Sequence, residues 1–262
     1  MLVLAIDTAL DNCAAAVLDT QAKAMLAQES LPMKRGHAEA LMPLIARVMT
    51  KSRIAYLDLD RIAVTTGPGS FTGLRVGISA ARGIALAASK PVIGLTTLAT
   101  YAAPYIAHDD KTAVAVAIDA RHQHVYLQMF GPGGRTLIAP RIASVADAAR
   151  AAATGPVRVV GTGAAMLAAA WPSRELAPAL VEDRRAPDIV WVGRLAVAAD
   201  EGAGDPKPLY LRAPDAQPQD AARLPRACSP RCRRSGPDRW PRHAPHRPRW
   251  RCAAGSACVR PG

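Results

Sequence analysis

The fold of this chain is decided by one stretch between a strand and a helix, which reads Thr65-Thr66-Gly67-Pro68-Gly69-Ser70-Phe71-Thr72-Gly73-Leu74-Arg75-Val76-Gly77. The apolar run 62–64 before it predicts a buried strand, and the small residues from 73 to 88 predict a helix. A glycine turn between strand and helix directs backbone N–H groups towards one point, which suits an anion such as phosphate. The same residues also fit a tight turn without a ligand, and they leave both interpretations open.

The complete glycine string, followed by an Ala-rich helix, resembles the signature of the TsaB (YeaZ) family. The first strand, 2–8, and the run 117–121 carry the same resemblance, which extends over residues 1–213. It implies an actin-like ATPase fold and a non-catalytic subunit that pairs with TsaD. Together they would place threonylcarbamoyl on the adenosine beside the anticodon of tRNAs that read codons beginning with A.

The resemblance also implies the surroundings of such a subunit. A TsaE-like ATPase would belong to the same complex, and tRNA would be contacted only indirectly. ATP and a metal would be held by the partner complex, while this chain would have no cofactor of its own.

The charge of the chain is concentrated in its last residues. The whole chain carries +12, but residues 221–262 contain eleven arginines and one acid, Asp238, for a net +10. The first 220 residues carry 22 basic and 20 acidic side chains, for a net +2. The globular part is therefore nearly neutral, so it lacks the net positive charge that would attract RNA.

The alternation of predicted strands and helices indicates an α/β fold, and the resemblance implies that it forms two actin-like (ribonuclease H-like) lobes. Residues 1–108 form the predicted first lobe and 109–213 a reduced second lobe, completed by helices near 164–171 and 188–201. Residues 214–262 are predicted to be a disordered Arg/Pro-rich tail, because too few apolar residues remain to offset the entropy of ordering.

Two interpretations of this tail stay open. It could be a basic interaction arm, or it could be translated out of frame, since arginine is frequent and lysine absent. Four of the five cysteines lie in the tail, with spacings that fit zinc sites poorly.

The sequence predicts a cytoplasmic protein. No run in it reaches the ~20 apolar residues of a membrane span, and no secretory signal is recognised.

Asp7 and Thr8, at the end of the first strand, are candidates for a vestigial nucleotide cleft. Asp119 occupies the matching point in the second half. No glycine follows Asp7 closely, unlike the phosphate hairpin of sugar kinases with this fold. The loop residues expected to shape the lobe face are Gly67, Gly69, Ser70, Thr72, Gly73 and Arg75.

No metal site and no catalytic residue are assigned. TsaD-like enzymes carry His-x-x-x-His where this chain has Thr97 and Tyr101. His122 and His124 alternate on one predicted strand and could bind a metal as a pair, but a surface pair is the preferred interpretation. Ser70 lies outside the G-x-S-x-G pattern of a nucleophile elbow.

The partner face is predicted on two helices, as in TsaB-like proteins, where they form a helical bundle with TsaD. The residues predicted to form this face are Leu41, Leu44, Ile45, Val48, Gly77 and Ala81. A homodimer is a further alternative. Two other functions remain as rivals: an actin-like small-molecule kinase, and an RNA-binding module that uses the basic tail.

The abrupt change of composition predicts that the tail is dispensable. We expect truncation after Arg212 to leave the thermal unfolding midpoint and the support of tRNA modification unchanged, because the removed residues contribute little apolar surface. Calorimetry and a reconstituted modification assay would measure both quantities. A truncated chain that folds but no longer binds its partner would show that the tail is functional.

Overall fold

Two five-stranded sheets organise the computed structural model, which describes residues 1–22, 24–108, 111–172, 177–199 and 206–212. The predicted tail, with its cysteines and arginines, lies outside the described residues. Within them, no helix is both long enough and apolar enough to cross a membrane.

The first sheet has the strand order β3-β2-β1-β4-β5. Its strands are β1 (Leu2–Asp7), β2 (Asn12–Asp19), β3 (Ala24–Pro32), β4 (Arg61–Gly67) and β5 (Val92–Thr96). Strand β1 is antiparallel to β2 and parallel to β4, so it lies at the centre of the sheet. Helices α1 (His37–Ser52) and α2 (Phe71–Ala88) cover one face, and α6 (Ile189–Ala198) covers the other. Burial on both faces explains the continuous apolar runs of β1 and β4.

The second sheet repeats this pattern with the order β10-β9-β6-β7-β8. Its strands are β6 (Ala113–Asp119), β7 (His124–Phe130), β8 (Thr136–Ser144), β9 (Val157–Val160) and β10 (Leu180–Glu182). Strand β6 is antiparallel to β7 and parallel to β9, as β1 is to β2 and β4. Helices α4 (Val145–Ala152) and α5 (Ala164–Ala169) cover one face, and α3 (Thr97–His108) covers the other.

The two sheets exchange covering helices. Helix α3 follows β5 of the first sheet in the chain, yet Leu98 and Tyr101 pack against the second sheet. Helix α6 follows β10 of the second sheet, yet Val192 and Ala196 pack against the first. The helix near 188–201 was predicted to complete the second lobe. This prediction is wrong, because the apolar side of α6 packs against β1 and β2.

The predicted α/β class with two sheets is confirmed. Two strands were missed, β8 and β10. Strand β8 contains Pro140, which lowers its strand signal but is tolerated because β8 is an edge strand. Strand β10 has only three residues, too few to show a period.

Candidate functional site

The glycine stretch packs directly against the end of β1. The amide of Ser70 donates to the carbonyl oxygen of Ala9 at 2.7 Å, and the hydroxyl of Thr8 donates to the carbonyl oxygen of Gly73 at 2.7 Å. A Cβ atom at Gly69 or Gly73 would overlap the backbone of Ala9 or Thr8. These glycines are therefore required for the close approach of two backbones.

Two backbone donors at the start of α2 are satisfied within the chain. Ser70 is the N-cap, and its hydroxyl accepts from the amide of Gly73 at 3.3 Å. The Ser70 amide is already bonded to Ala9. The amides of Ser70 and Gly73 are therefore bonded within the chain, which fits a turn closed by its own residues.

Asp7 is completely buried at the end of β1. Its Oδ1 accepts from the hydroxyl of Thr65 at 2.6 Å and from the amide of Ala9 at 3.1 Å. Its Oδ2 has no hydrogen-bond partner among the described residues. Loss of hydration on burial raises the pKa of this carboxyl, against the opposing effect of the Thr65 hydrogen bond.

The predicted vestigial cleft at Asp7 and Thr8 is therefore closed in this structure. Both side chains are fully buried, and Thr8 is held by Gly73. A carboxylate that orients Mg²⁺ must reach solvent or a nucleotide, and burial of Asp7 prevents this. These residues do not fit a Mg²⁺–nucleotide group.

The matching end of β6 is built in a similar way but lies at the surface. Asp119 is exposed, and its Oδ1 accepts from the amide of Arg121 at 2.8 Å. The amide of Gly163, in the loop after β9, donates to the carbonyl oxygen of Ala117 at 2.9 Å. Asp119 thus caps its own turn, and the loop after β9 packs on β6 as the glycine loop packs on β1.

The positions that correspond to the metal histidines of TsaD-like enzymes lie in the core. Thr97 is fully buried and Tyr101 is 1% exposed. The hydroxyl of Tyr101 donates to the carbonyl oxygen of Arg184 at 2.8 Å. The ring of His124 contacts the backbone oxygen of His122 at 2.7 Å. Across the described ranges, no three His, Cys, Asp or Glu side chains are close enough together to hold a metal ion.

The predicted partner-face residues lie inside the first lobe. The four apolar side chains on α1 are at most 1% exposed, Ala81 is fully buried, and Gly77 is buried against Thr8. The assignment of this face to Leu41, Leu44, Ile45, Val48, Gly77 and Ala81 is therefore wrong. The apolar stripe was correctly located, but the first sheet itself covers it.

The outer side of the same two helices carries other apolar residues, which were not among those predicted for the partner face. A groove of about 470 Å³ opens between α1 and α2. Its lining residues are Met42, Tyr56, Leu57, Ala80, Gly83, Ile84, Ala87 and Ala88. On the exposed side of α2, the side chain of Leu86 is 84% exposed. Leu86 lies at an outward position of α2. A leucine at a solvent-facing position of a helix is the sequence signal that could have indicated this surface.

The remaining loop residues lie at the end of β4 and in the first two turns of α2. Thr72 is exposed, whereas Gly67 is buried with φ +105°. A Cβ atom at Gly67 would lie 2.8 Å from Cδ1 of Leu74. Arg75 is exposed and its guanidinium contacts Phe71 and Tyr210.

Comparison with known proteins gives consistent matches. The family model described as "TsaD: tRNA N6-adenosine threonylcarbamoyltransferase" matches residues 25–189. The tRNA threonylcarbamoyladenosine biosynthesis protein TsaB of Escherichia coli is 40% identical over 127 residues, which cover 48% of this chain and 53% of that protein. An uncharacterized protein of Mycobacterium tuberculosis is 33% identical over 221 residues, or 82% of this chain and 94% of that protein.

Among solved structures, YeaZ from Pseudomonas aeruginosa matches with a TM-score of 0.67 and 27% identity. The match covers 80% of this chain and all of that chain. The chain spans about half the length of the curated TsaB relatives that it matches.

Two glycines of α2 provide a matched test of the packing against β1. Gly73→Ala should lower the free energy of unfolding by about 3 kcal/mol, because its Cβ would meet the backbone of Thr8. Gly83→Ala should raise it by about 0.5–1 kcal/mol, since nothing lies near that Cβ and alanine favours a helix. Urea denaturation would measure both, and equal effects would contradict the assigned packing.

The buried Asp7 predicts a specific pH dependence. Because its folded pKa is raised, its contribution to stability is complete below the unfolded pKa of about 4 and is lost as the pH rises through the folded pKa. Asp7→Asn removes this titration. The unfolding midpoint of the variant, relative to wild type, should therefore increase from pH 4 to pH 8. A difference that does not change with pH would show that Asp7 is not held in its neutral form.

Proposed function

Since the chain belongs to the TsaB (YeaZ) family, within the threonylcarbamoyltransferase group whose model matches it, we propose that it is an accessory subunit of tRNA modification. In this proposal it pairs with a TsaD-like protein in the cytoplasm. The pair supports the transfer of threonylcarbamoyl to the adenosine beside the anticodon of tRNAs that read codons beginning with A.

The observation that carries the pairing is the exposed apolar surface on α1 and α2. Met42 of α1 and Leu57 of the 3-10 turn Tyr56–Asp58 line the groove and are 48% and 68% exposed, and Leu86 of α2 is 84% exposed. Contiguous exposed apolar surface of this kind marks interaction sites. The small residues Gly83 and Ala87 add no bulk, so a partner helix could approach the backbone of α2 closely.

A TsaD-like occupant is supported by the matched family model. The match over residues 25–189 includes both α1 and α2, so a TsaD-like protein is expected to have the same helix pair. Two related helix pairs could then pack face to face with their apolar sides buried. The nearly neutral charge of the first 220 residues favours such an apolar contact over a direct hold on RNA.

A non-catalytic role is supported by the closed end of β1. Asp7 is buried and bonded to Thr65, and the glycine loop is occupied by its own backbone contacts. In this proposal ATP, the metal and a TsaE-like ATPase belong to the rest of the complex, and this chain supplies a docking surface and no reacting group.

Glutamate placed at three positions tests the pairing surface. Leu86→Glu should leave the fold intact, since Leu86 is 84% exposed, but weaken binding to the TsaD-like partner by about 30-fold or more. Leu137→Glu is the matched control at another exposed leucine, on β8, and should bind normally. Ala81→Glu should lower the free energy of unfolding by about 4 kcal/mol, because it buries an unpaired charge.

The measurements are circular dichroism, binding by calorimetry and activity in a reconstituted modification assay. A folded Leu86→Glu variant with wild-type affinity would exclude this surface as the docking site. Dimerisation of the chain through this surface, with no binding of a TsaD-like protein, would support a homodimer instead.

A further inference from the structure

Phe71, Arg75 and Tyr210 form an exposed cluster at the N-terminal end of α2. The guanidinium carbon of Arg75 lies 3.8 Å from the centre of the Phe71 ring, and its Nε donates to the Tyr210 hydroxyl at 3.2 Å. The two rings stack with centroids 5.3 Å apart. The guanidinium is thus oriented by contacts from two sides before any partner binds.

The positive charge of Arg75 is not matched by an acid. Both of its contacts are to uncharged groups, and none of the ion pairs between described residues includes Arg75. Among the described residues, the two terminal nitrogens of the Arg75 guanidinium have no hydrogen-bond partner. A planar edge with two N–H groups fits a carboxylate, which accepts two parallel hydrogen bonds.

The cluster is continuous with the apolar surface on α2. Phe71 and Arg75 begin a row of exposed residues at four-residue spacing along α2. The row consists of Phe71, Arg75, Ser79, Gly83 and Ala87. Residues at this spacing form a ridge along one side of a helix. Gly83 and Ala87 line the groove, so the ridge joins the charged cluster to the apolar docking surface.

We propose that Arg75 is a specificity anchor of the docking surface and that it binds a carboxylate on the TsaD-like partner. This inference rests on the proposed pairing. The apolar groove supplies the affinity, while the anchor selects one orientation of the partner along α2, because only one end of the ridge carries a charge. Aromatic and arginine side chains of this kind are frequent among the residues that dominate binding energy.

Tyr210 is a positioning residue in this arrangement. It lies on the described segment 206–212, where the amide of Leu209 donates to the carbonyl oxygen of Thr66 at 2.7 Å. This bond holds the segment against β4 and brings the Tyr210 hydroxyl to Arg75. Tyr210→Phe removes only the hydroxyl and leaves the ring stacked on Phe71.

The test measures the dissociation constant of the full chain with a TsaD-like protein at several salt concentrations. Arg75→Ala should raise it by about 30-fold and reduce its dependence on salt, because one ion pair is lost. Tyr210→Phe should raise it about threefold, and the double variant should bind no more weakly than Arg75→Ala alone. Arg194→Ala is the matched control, since Arg194 makes a similar contact with Trp191 on α6.

Each outcome decides between the proposals. Arg75→Ala with wild-type affinity, in a chain whose binding is abolished by Leu86→Glu, would overturn the anchor and leave the pairing intact. Failure of the wild-type chain to bind any TsaD-like protein would overturn both. If Arg75→Ala instead weakens binding of an anticodon stem-loop RNA and leaves partner affinity unchanged, the anchor is a phosphate contact and this proposal is wrong.

Discussion

The contact between the glycine loop and the end of β1 is the constraint on which the first lobe depends. Backbone meets backbone there, because Gly69 and Gly73 leave no room for a side chain beside Ala9 and Thr8. Two hydrogen bonds of 2.7 Å close the contact. The start of α2 is thereby set relative to β1, and the direction of its exposed ridge follows.

This contact also explains why a sequence suited to an anion site need not form one. A helix N-terminus attracts a phosphate only while its amides are free. Here the Ser70 hydroxyl accepts from the amide of Gly73, and the Ala9 carbonyl accepts from the amide of Ser70, so two donors of the turn are already bonded. Burial of Asp7 acts in the same direction, since the loss of hydration raises the pKa of its carboxyl and the side chain is closed off from solvent.

Much of the fold could be predicted from sequence, because β1 and β4 are buried on both faces and show unbroken apolar runs. The placement of α6 could not, since a helix period gives an apolar side but not the sheet that covers it. The prediction of the partner face failed for the same reason. Leu41 and Ala81 belong to an apolar stripe that packs against the sheet of its own lobe. The Arg75 cluster depends on Tyr210, which is 135 residues away, and no local pattern could reveal that pairing.

The exchange of α3 and α6 between the sheets has a mechanical consequence. A hinge motion that separated the sheets would pull Tyr101 from the second core or Val192 from the first, and either would expose buried apolar surface. The segment 206–212 adds a third tie, since Leu209 bonds to β4 and Arg212 bonds to Ala120 beyond β6. These ties brace the chain against such a motion. A braced scaffold meets its partner with little reorganisation, so most of the contact energy is retained as affinity.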